Sequence, residues 1–143
     1  MPVTDFVGTY TSAPAVGYAG MIAESQAFKD VASKVVETAS VAFGLAVGAG
    51  AADNSVKLDG AGFAGISVAD KTRTADLYVV GEVAGVIRKG TVWVVVSTNV
   101  TPATPVTFTA ATGVIGAGLA TTVADAKFET TATAGNLARV YLG

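Results

Sequence analysis

The chain has 143 residues, 14% charged and 51% hydrophobic, with a net charge of −2 and neither Cys nor His. That length suits one domain with its own core, and the missing residue types exclude disulfide frameworks, thiolate or imidazole metal sites, and thiol or histidine catalysis. So little charge leaves a neutral surface of a kind often covered in an assembly, and the single adjacent basic pair, Arg88-Lys89, offers nucleic acid no phosphate-tracking patch.

Residues 1–27 mix Pro2, Pro14, Gly8, Gly17 and Gly20 with isolated Phe6, Tyr10, Tyr18 and Met21. Single large apolar residues between turn formers cannot build a core, so 1–27 are expected to form an extended arm. Those four side chains are expected to dock either on the domain itself or on a neighbouring subunit, and they are the candidate partner contacts. The start, Met1-Pro2-Val3-Thr4-Asp5, has neither the basic residues nor the apolar run of a secretory signal, which points to synthesis in the cytoplasm. Over 28–39 the spacing Phe28, Val31, Val35 fits a helix face, while β-branched Val35, Val36 and Thr38 suit a strand equally. The longest apolar stretch, 41–52, is broken by Gly44, Gly48 and Gly50 and falls short of the ~20 residues that span a bilayer, so a soluble protein is expected.

From residue 41 onward, short Val-rich runs alternate with Gly, Asn and Asp. Strands are predicted over 41–47, 56–58, 63–68, 77–80, 83–88, 92–96, 106–109, 127–130 and 137–142. With no long helical pattern between them, residues 28–143 read as a single all-β domain, either sandwich or closed barrel. Lys89-Gly90 is predicted to turn a hairpin between 83–88 and 92–96. The run Thr91-Val92-Trp93-Val94-Val95-Val96 does not alternate, so both its faces are expected to be covered. Pro102 and Pro105 confine the next stretch to a loop or an edge. The candidate core is Phe43, Phe63, Val86, Trp93, Phe128 and Val140.

No motif carries chemistry. Gly60-Ala61-Gly62-Phe63-Ala64-Gly65 has dinucleotide-loop spacing, but the alternating Ile66-Ser67-Val68 behind it is a strand where that loop needs a helix, so a β-turn or bulge is expected. Asp53-Asn54-Ser55 and Asp59-Gly60 lack the Gly and terminal Glu of a calcium loop and read as Asx-turns. Asn99-Val100-Thr101 fits a glycosylation acceptor but reads as loop chemistry without a secretory signal. The carboxylates Asp70 with Asp76 and Glu82 with Glu129, and the pair Ser25/Lys29, read as surface groups. Trp93, Phe108 and Phe128 form a sugar platform if exposed, and core if not. No catalytic, cofactor-binding or metal-binding residue is assigned, and no enzyme activity is expected.

Several segments occur in a telling order: Tyr18-Ala19-Gly20-Met21-Ile22-Ala23-Glu24-Ser25, Ala42-Phe43-Gly44-Leu45-Ala46-Val47, and Phe63-Ala64-Gly65-Ile66-Ser67-Val68-Ala69-Asp70. They are followed by Val86-Ile87-Arg88-Lys89-Gly90-Thr91-Val92-Trp93-Val94, Ala126-Lys127-Phe128-Glu129-Thr130 and Leu137-Ala138-Arg139-Val140-Tyr141-Leu142. From about Gly17 to Leu142 the set resembles the structural cement proteins of tailed bacteriophage heads. Leu45, where that family commonly has a basic residue, and Ala103-Thr104, in place of a Gly and an acidic residue, depart from it. The resemblance implies a jelly-roll-like β-sandwich on the outside of an icosahedral head. There it would clamp neighbouring major capsid proteins and stabilise the expanded shell as a homodimer or homotrimer in the virion, without nucleic acid, membrane or cofactor. The alternative is a carbohydrate-binding or adhesive head or fibre module.

Overall fold

The computed structural model describes residues 17–23, 29–73 and 75–143. Within them the chain is all-β, without a helix. Eleven strands follow in order: β1 (Asp30–Val36), β2 (Val41–Ala42), β3 (Ala46–Ala49), β4 (Ser55–Lys57), β5 (Ala61–Ser67), β6 (Leu77–Tyr78), β7 (Val83–Val95), β8 (Pro105–Phe108), β9 (Ile115–Gly116), β10 (Thr121–Phe128) and β11 (Leu137–Leu142). The ambiguous segment after Phe28 is thus a strand, exposed at Val31, Ser33 and Val35 on one face.

The pairings close a ring. β1 pairs with β4, β4 with β3, β3 with β5, β5 with β7, and β7 again with β1, so five strands form a barrel with no free edge between them. Its interior holds Val36, Val41, Phe43, Val47, Val56, Tyr78, Ala84 and Val86. The short pair β2 and β6 supplies Val41 opposite Tyr78, and the Phe43 and Tyr78 rings meet edge to face at 5.2 Å. The second half of β7 continues into an open sheet in the order β7, β11, β10, β8, β9. A parallel bridge from Val96 to Ile115 and a hydrogen bond from the Ser97 N–H to the Ile115 carbonyl (2.9 Å) bring the far edge back to β7.

β7 corrects two sequence expectations. No hairpin turns at Lys89-Gly90: a single 13-residue strand runs through it. Opposite β1, Asp30 pairs with Lys89 and Val31 with Ile87, so Arg88 is an extra residue, a β-bulge. Gly90 follows in the left-handed region at φ 120°, a conformation glycine takes without steric cost. The bulge, not a turn, redirects the chain from barrel to sheet. One extra residue also reverses which side chains face inward. Ile87 packs into the cluster beneath the sheet, and beyond the bulge Val92, Val94 and Val96 do so, all fully buried. Trp93 and Val95 therefore point the other way, and Val95 is 45% exposed. The strand alternates after all, and Trp93 lies outside the core, partly covered.

The predicted strand 41–47 is likewise two strands, broken at Phe43-Gly44, where Gly44 takes φ 76°. The glycine-rich run lies in and just before β5, with a register shift against β3 at Val47/Ala49. There the backbones of Gly48 and Gly60 approach so closely that a Cβ on Gly48 would lie 2.5 Å from the Gly60 carbonyl carbon. Asn54 and Asp59, both at positive φ, bracket β4. β8 begins at Pro105, the first strand position, where a missing N–H is tolerated.

Candidate functional site

One cluster of ionic groups lies on the 68–82 loop, beside Tyr78. Arg73 is at its centre: Nε lies 3.5 Å from Asp70 Oδ2, Nη1 donates to Glu82 Oε2, and the guanidinium stands 4.5 Å over the Tyr78 ring. Each carboxylate is held from its other side too. Glu82 Oε1 accepts the Val79 N–H at 2.7 Å, and Asp70 Oδ1 accepts the Thr72 hydroxyl at 2.6 Å. These bonds favour the ionised forms. The Val79 N–H and then Arg73 hold Glu82 below the ordinary carboxylate range, and the Thr72 hydroxyl and N–H do the same for Asp70. Glu82, and secondarily the two carboxylates' charges, raise the Arg73 pKa further. Burial raises that of Tyr78, whose hydroxyl donates to the Val68 carbonyl at 2.5 Å. An open cavity of about 470 Å³ lies against these groups and the side chains of Leu77 and Val79. Since both carboxyls are held as anions, neither is a proton donor at neutral pH; the cluster is a clamp on the loop.

A second clamp lies at the turn after β3. Glu37 accepts the N–H groups of Ala51 and Ala52, each at 2.8 Å, and the hydrogen bond from Ser55, ahead of these two, lowers its pKa. A third ties the segment 17–23 to the loop: Lys71 pairs with Asp76 at 3.5 Å and stands 4.2 Å over the Tyr18 ring.

The carboxylate pairs singled out in the sequence do not converge. Asp70 belongs to Arg73 and Asp76 to Lys71, while Glu82 also pairs with Arg73 and Glu129 pairs with Arg139 beside the open sheet, at 3.0 Å. Ser25 lies outside the described residues, as do Phe6 and Tyr10. Tyr18 is 41% exposed, and Met21 is half-buried. The stretch 20–23 lies on the chain's own β7: Gly20 N–H donates to the Trp93 carbonyl, Trp93 N–H to the Met21 carbonyl, and Ala23 N–H to the Thr91 carbonyl. Among the core candidates Phe43, Val86, Phe128 and Val140 are buried, and Phe63 is half-buried against Phe108 with ring centroids 5.6 Å apart. A Cβ on Gly17 would fall 2.9 Å from Trp93 Cδ1, so this segment covers the indole. With Phe108 and Phe128 buried, the three aromatics do not make an exposed sugar platform.

The sequence reading missed an exposed apolar wall. Val31, Val35 and Val83 stand exposed on the outer face of β1 and β7, with Val35 directly opposite Val83, and Val79 and Val80 in the loop before β7 are 46% and 52% exposed. The signal was present in the alternation of β1, but helix and strand could not be told apart there.

A family model described as structural cement protein (E217 gp24/Pam3 gp6) matches residues 6–143. The chain belongs to this phage cement family. It is a capsid-stabilising structural protein located in the virion and associated with capsid proteins, and the family is a structural one, not a class of enzymes. Among solved structures, a chain in the capsid of Myoviridae phage XM1 is similar with a TM-score of 0.71 and 21% identity, over 93% of this chain and 94% of that one. The N base of head fiber gp8.5 in bacteriophage phi29 is similar with a TM-score of 0.50 and 12% identity, over 81% of this chain and 95% of that one. These two likenesses are of fold. No curated protein sequence matches.

Proposed function

We propose that the protein binds the outer surface of an icosahedral phage head, clamps neighbouring major capsid proteins and stabilises the expanded shell as a homo-oligomer of two or three copies. The observation that carries this reading is the exposed valine wall on a barrel that has no free edge among its five strands. A rigid body with an uncovered apolar face is what a clamp requires. A ligand that binds only the assembled, expanded state lowers its free energy at every copy, and oligomers add avidity. Residues 1–27 act as an arm, fastened to the chain's own β7 around Met21, whose Phe6, Tyr10 and Tyr18 extend the contact to an adjacent subunit; the exposure of Tyr18 supports this. The net charge of −2 supports binding to protein in preference to nucleic acid, and the protein engages no membrane and is made in the host cytoplasm. The sandwich-like description is supported by the open sheet packing over Ala46, Ile66 and Ile87 on the outer side of the barrel. A density map of intact heads carrying the protein tests the reading. Density outside the shell that bridges two capsid subunits supports it, and density inside the head or on a tail contradicts it.

A further inference from the structure

Side chains alternate across a strand, so the open sheet has a second face, opposite the one that Val92, Val94, Phe128 and Val140 fill. Register sets Val95 beside Leu137, Trp93 beside Arg139, and Tyr141 between Thr91 and Lys127 on this outer face. Val95, Leu137, Trp93 and Tyr141 belong to neither buried cluster. Among the described residues the cover lies along β7, where Thr91 is buried and the segment 17–23 rests against Trp93. Along β11 a half-buried row remains, Leu137, Arg139 and Tyr141, with Val95 at its end 45% exposed.

The described chain begins at this face, with Gly17 against the Trp93 ring, and residues 1–16 precede it. Extended at roughly 3.3 Å per residue they reach about 50 Å, whereas the six residues of β11 cover about 20 Å. The arm is therefore long enough to leave its own sheet and lie along a neighbour's. We propose that residues 4–12 of a second copy lie along the Leu137–Arg139–Tyr141 row, each copy giving one arm and receiving one. The pattern of the arm fits the row. In an extended chain Phe6, Gly8 and Tyr10 share one side, as Leu137, Arg139 and Tyr141 do on β11. The two aromatic side chains then meet the two ends of the row, and Gly8 leaves room at the middle, where Arg139 lies beside Trp93. Charge agrees as well. Asp5 is the one charged side chain among residues 1–16, and the face carries Arg139 and Lys127 against one carboxylate, Glu129, which pairs with Arg139 at 3.0 Å. An exchanged arm also adds avidity on a shell that each copy already grips.

The inference rests on the homo-oligomer and arm readings above and names the surface that receives the arm. The chain has no Cys, so single thiols can be placed on arm and row separately. Full-length Tyr10→Cys chains are mixed with Leu137→Cys or Tyr141→Cys chains, one at each end of the row, under mild oxidation. At least one mixture is expected to give a covalent pair of 14.2 kDa chains carrying one of each variant, faster than Tyr10→Cys pairs with an Ala134→Cys control. Phe6→Ser/Tyr10→Ser is expected to weaken the oligomer about 10-fold or more in native mass spectrometry, with an unchanged melting transition; unchanged association overturns the proposal. So does a Tyr10→Cys/Leu137→Cys or Tyr10→Cys/Tyr141→Cys double variant whose disulfide closes within one chain, because the row then holds the chain's own arm. A wild-type oligomer whose arm thiol reaches the row no faster than the control overturns the receiving face and leaves the oligomer standing. Chains that stay monomeric at tens of micromolar and lie singly on heads overturn both, and if those heads still need Phe6 and Tyr10, the arm belongs to the capsid protein.

Discussion

The barrel and the open sheet share β7, yet they fasten their loops by different means. The barrel uses ions: Glu37 holds the turn after β3, and Asp70, Arg73 and Glu82 hold the loop between β5 and β7. The open sheet has almost none to use, because residues 90–124 contain no charged residue. Hydroxyls serve instead. Thr107, buried, donates to the Gly116 carbonyl at 2.6 Å and accepts the Leu119 N–H at 3.0 Å. Thr98 accepts the Ala117 N–H at 2.6 Å, and Thr130 accepts that of Arg139 at 2.9 Å. A neutral hydroxyl satisfies a buried backbone group without the desolvation cost of a charge. The low charge of the chain is therefore a property of one region, and there threonine does the work that ions do in the other.

The largest expected effect tests whether the two regions are one cooperative unit. Phe128→Ala empties the centre of the cluster beneath the sheet and should cost about 3–5 kcal/mol. Because Ile66 and Ile87 of the barrel belong to that cluster, circular dichroism and Trp93 fluorescence should report one lowered transition. Two separate transitions would show that β7 does not couple them. Next in size is the contrast of clamps. Thr107→Val leaves the Gly116 carbonyl and Leu119 N–H without their partner and should cost about 1–3 kcal/mol, independent of salt. Arg73→Ala should cost less than Thr107→Val, since ion pairs near the surface contribute little, and less again in high salt. Equal losses, both insensitive to salt, would erase the distinction.

Acid should separate the regions further. Glu37, Asp70 and Glu82 have folded pKa values below those of the unfolded chain. Their contribution is present above the unfolded carboxyl range, near pH 4, and is lost as pH falls through the folded values. Hydrogen exchange below about pH 4 should thus rise at 50–55 and 68–82, relative to the intrinsic rate, while 98–119 stays protected. The smallest effect is Gly85→Ala: with free space and an ordinary φ, alanine should stabilise the fold by about 0.5–1 kcal/mol in a thermal melt. A destabilised monomer would mean that the chain itself needs this glycine.

The class of fold was legible in the spacing of the valine runs, since period and punctuation are local properties. Ring closure was not, because it depends on β1 meeting both β4 and β7, a pairing that no spacing encodes. Lys89-Gly90 misled for a physical reason: a glycine at positive φ serves a bulge as readily as a hairpin. Only the partner strand, with Asp30 opposite Lys89 and Val31 opposite Ile87, decides between them. Trp93 was misplaced by the same bulge, which turns Val92 and Val94 inward and leaves the indole to the segment 17–23. The exposed wall stayed hidden because Phe28, Val31 and Val35 satisfy a helical period as well as a strand. The missing residue types were easier to read, because His and Cys can be counted.

Calorimetry of purified expanded heads, with and without saturating protein, tests the capsid-stabilising role most directly. The shell's disruption temperature should rise with added protein until the sites are full, as binding to the assembled state alone requires. An unchanged disruption temperature with the protein demonstrably bound would contradict the account.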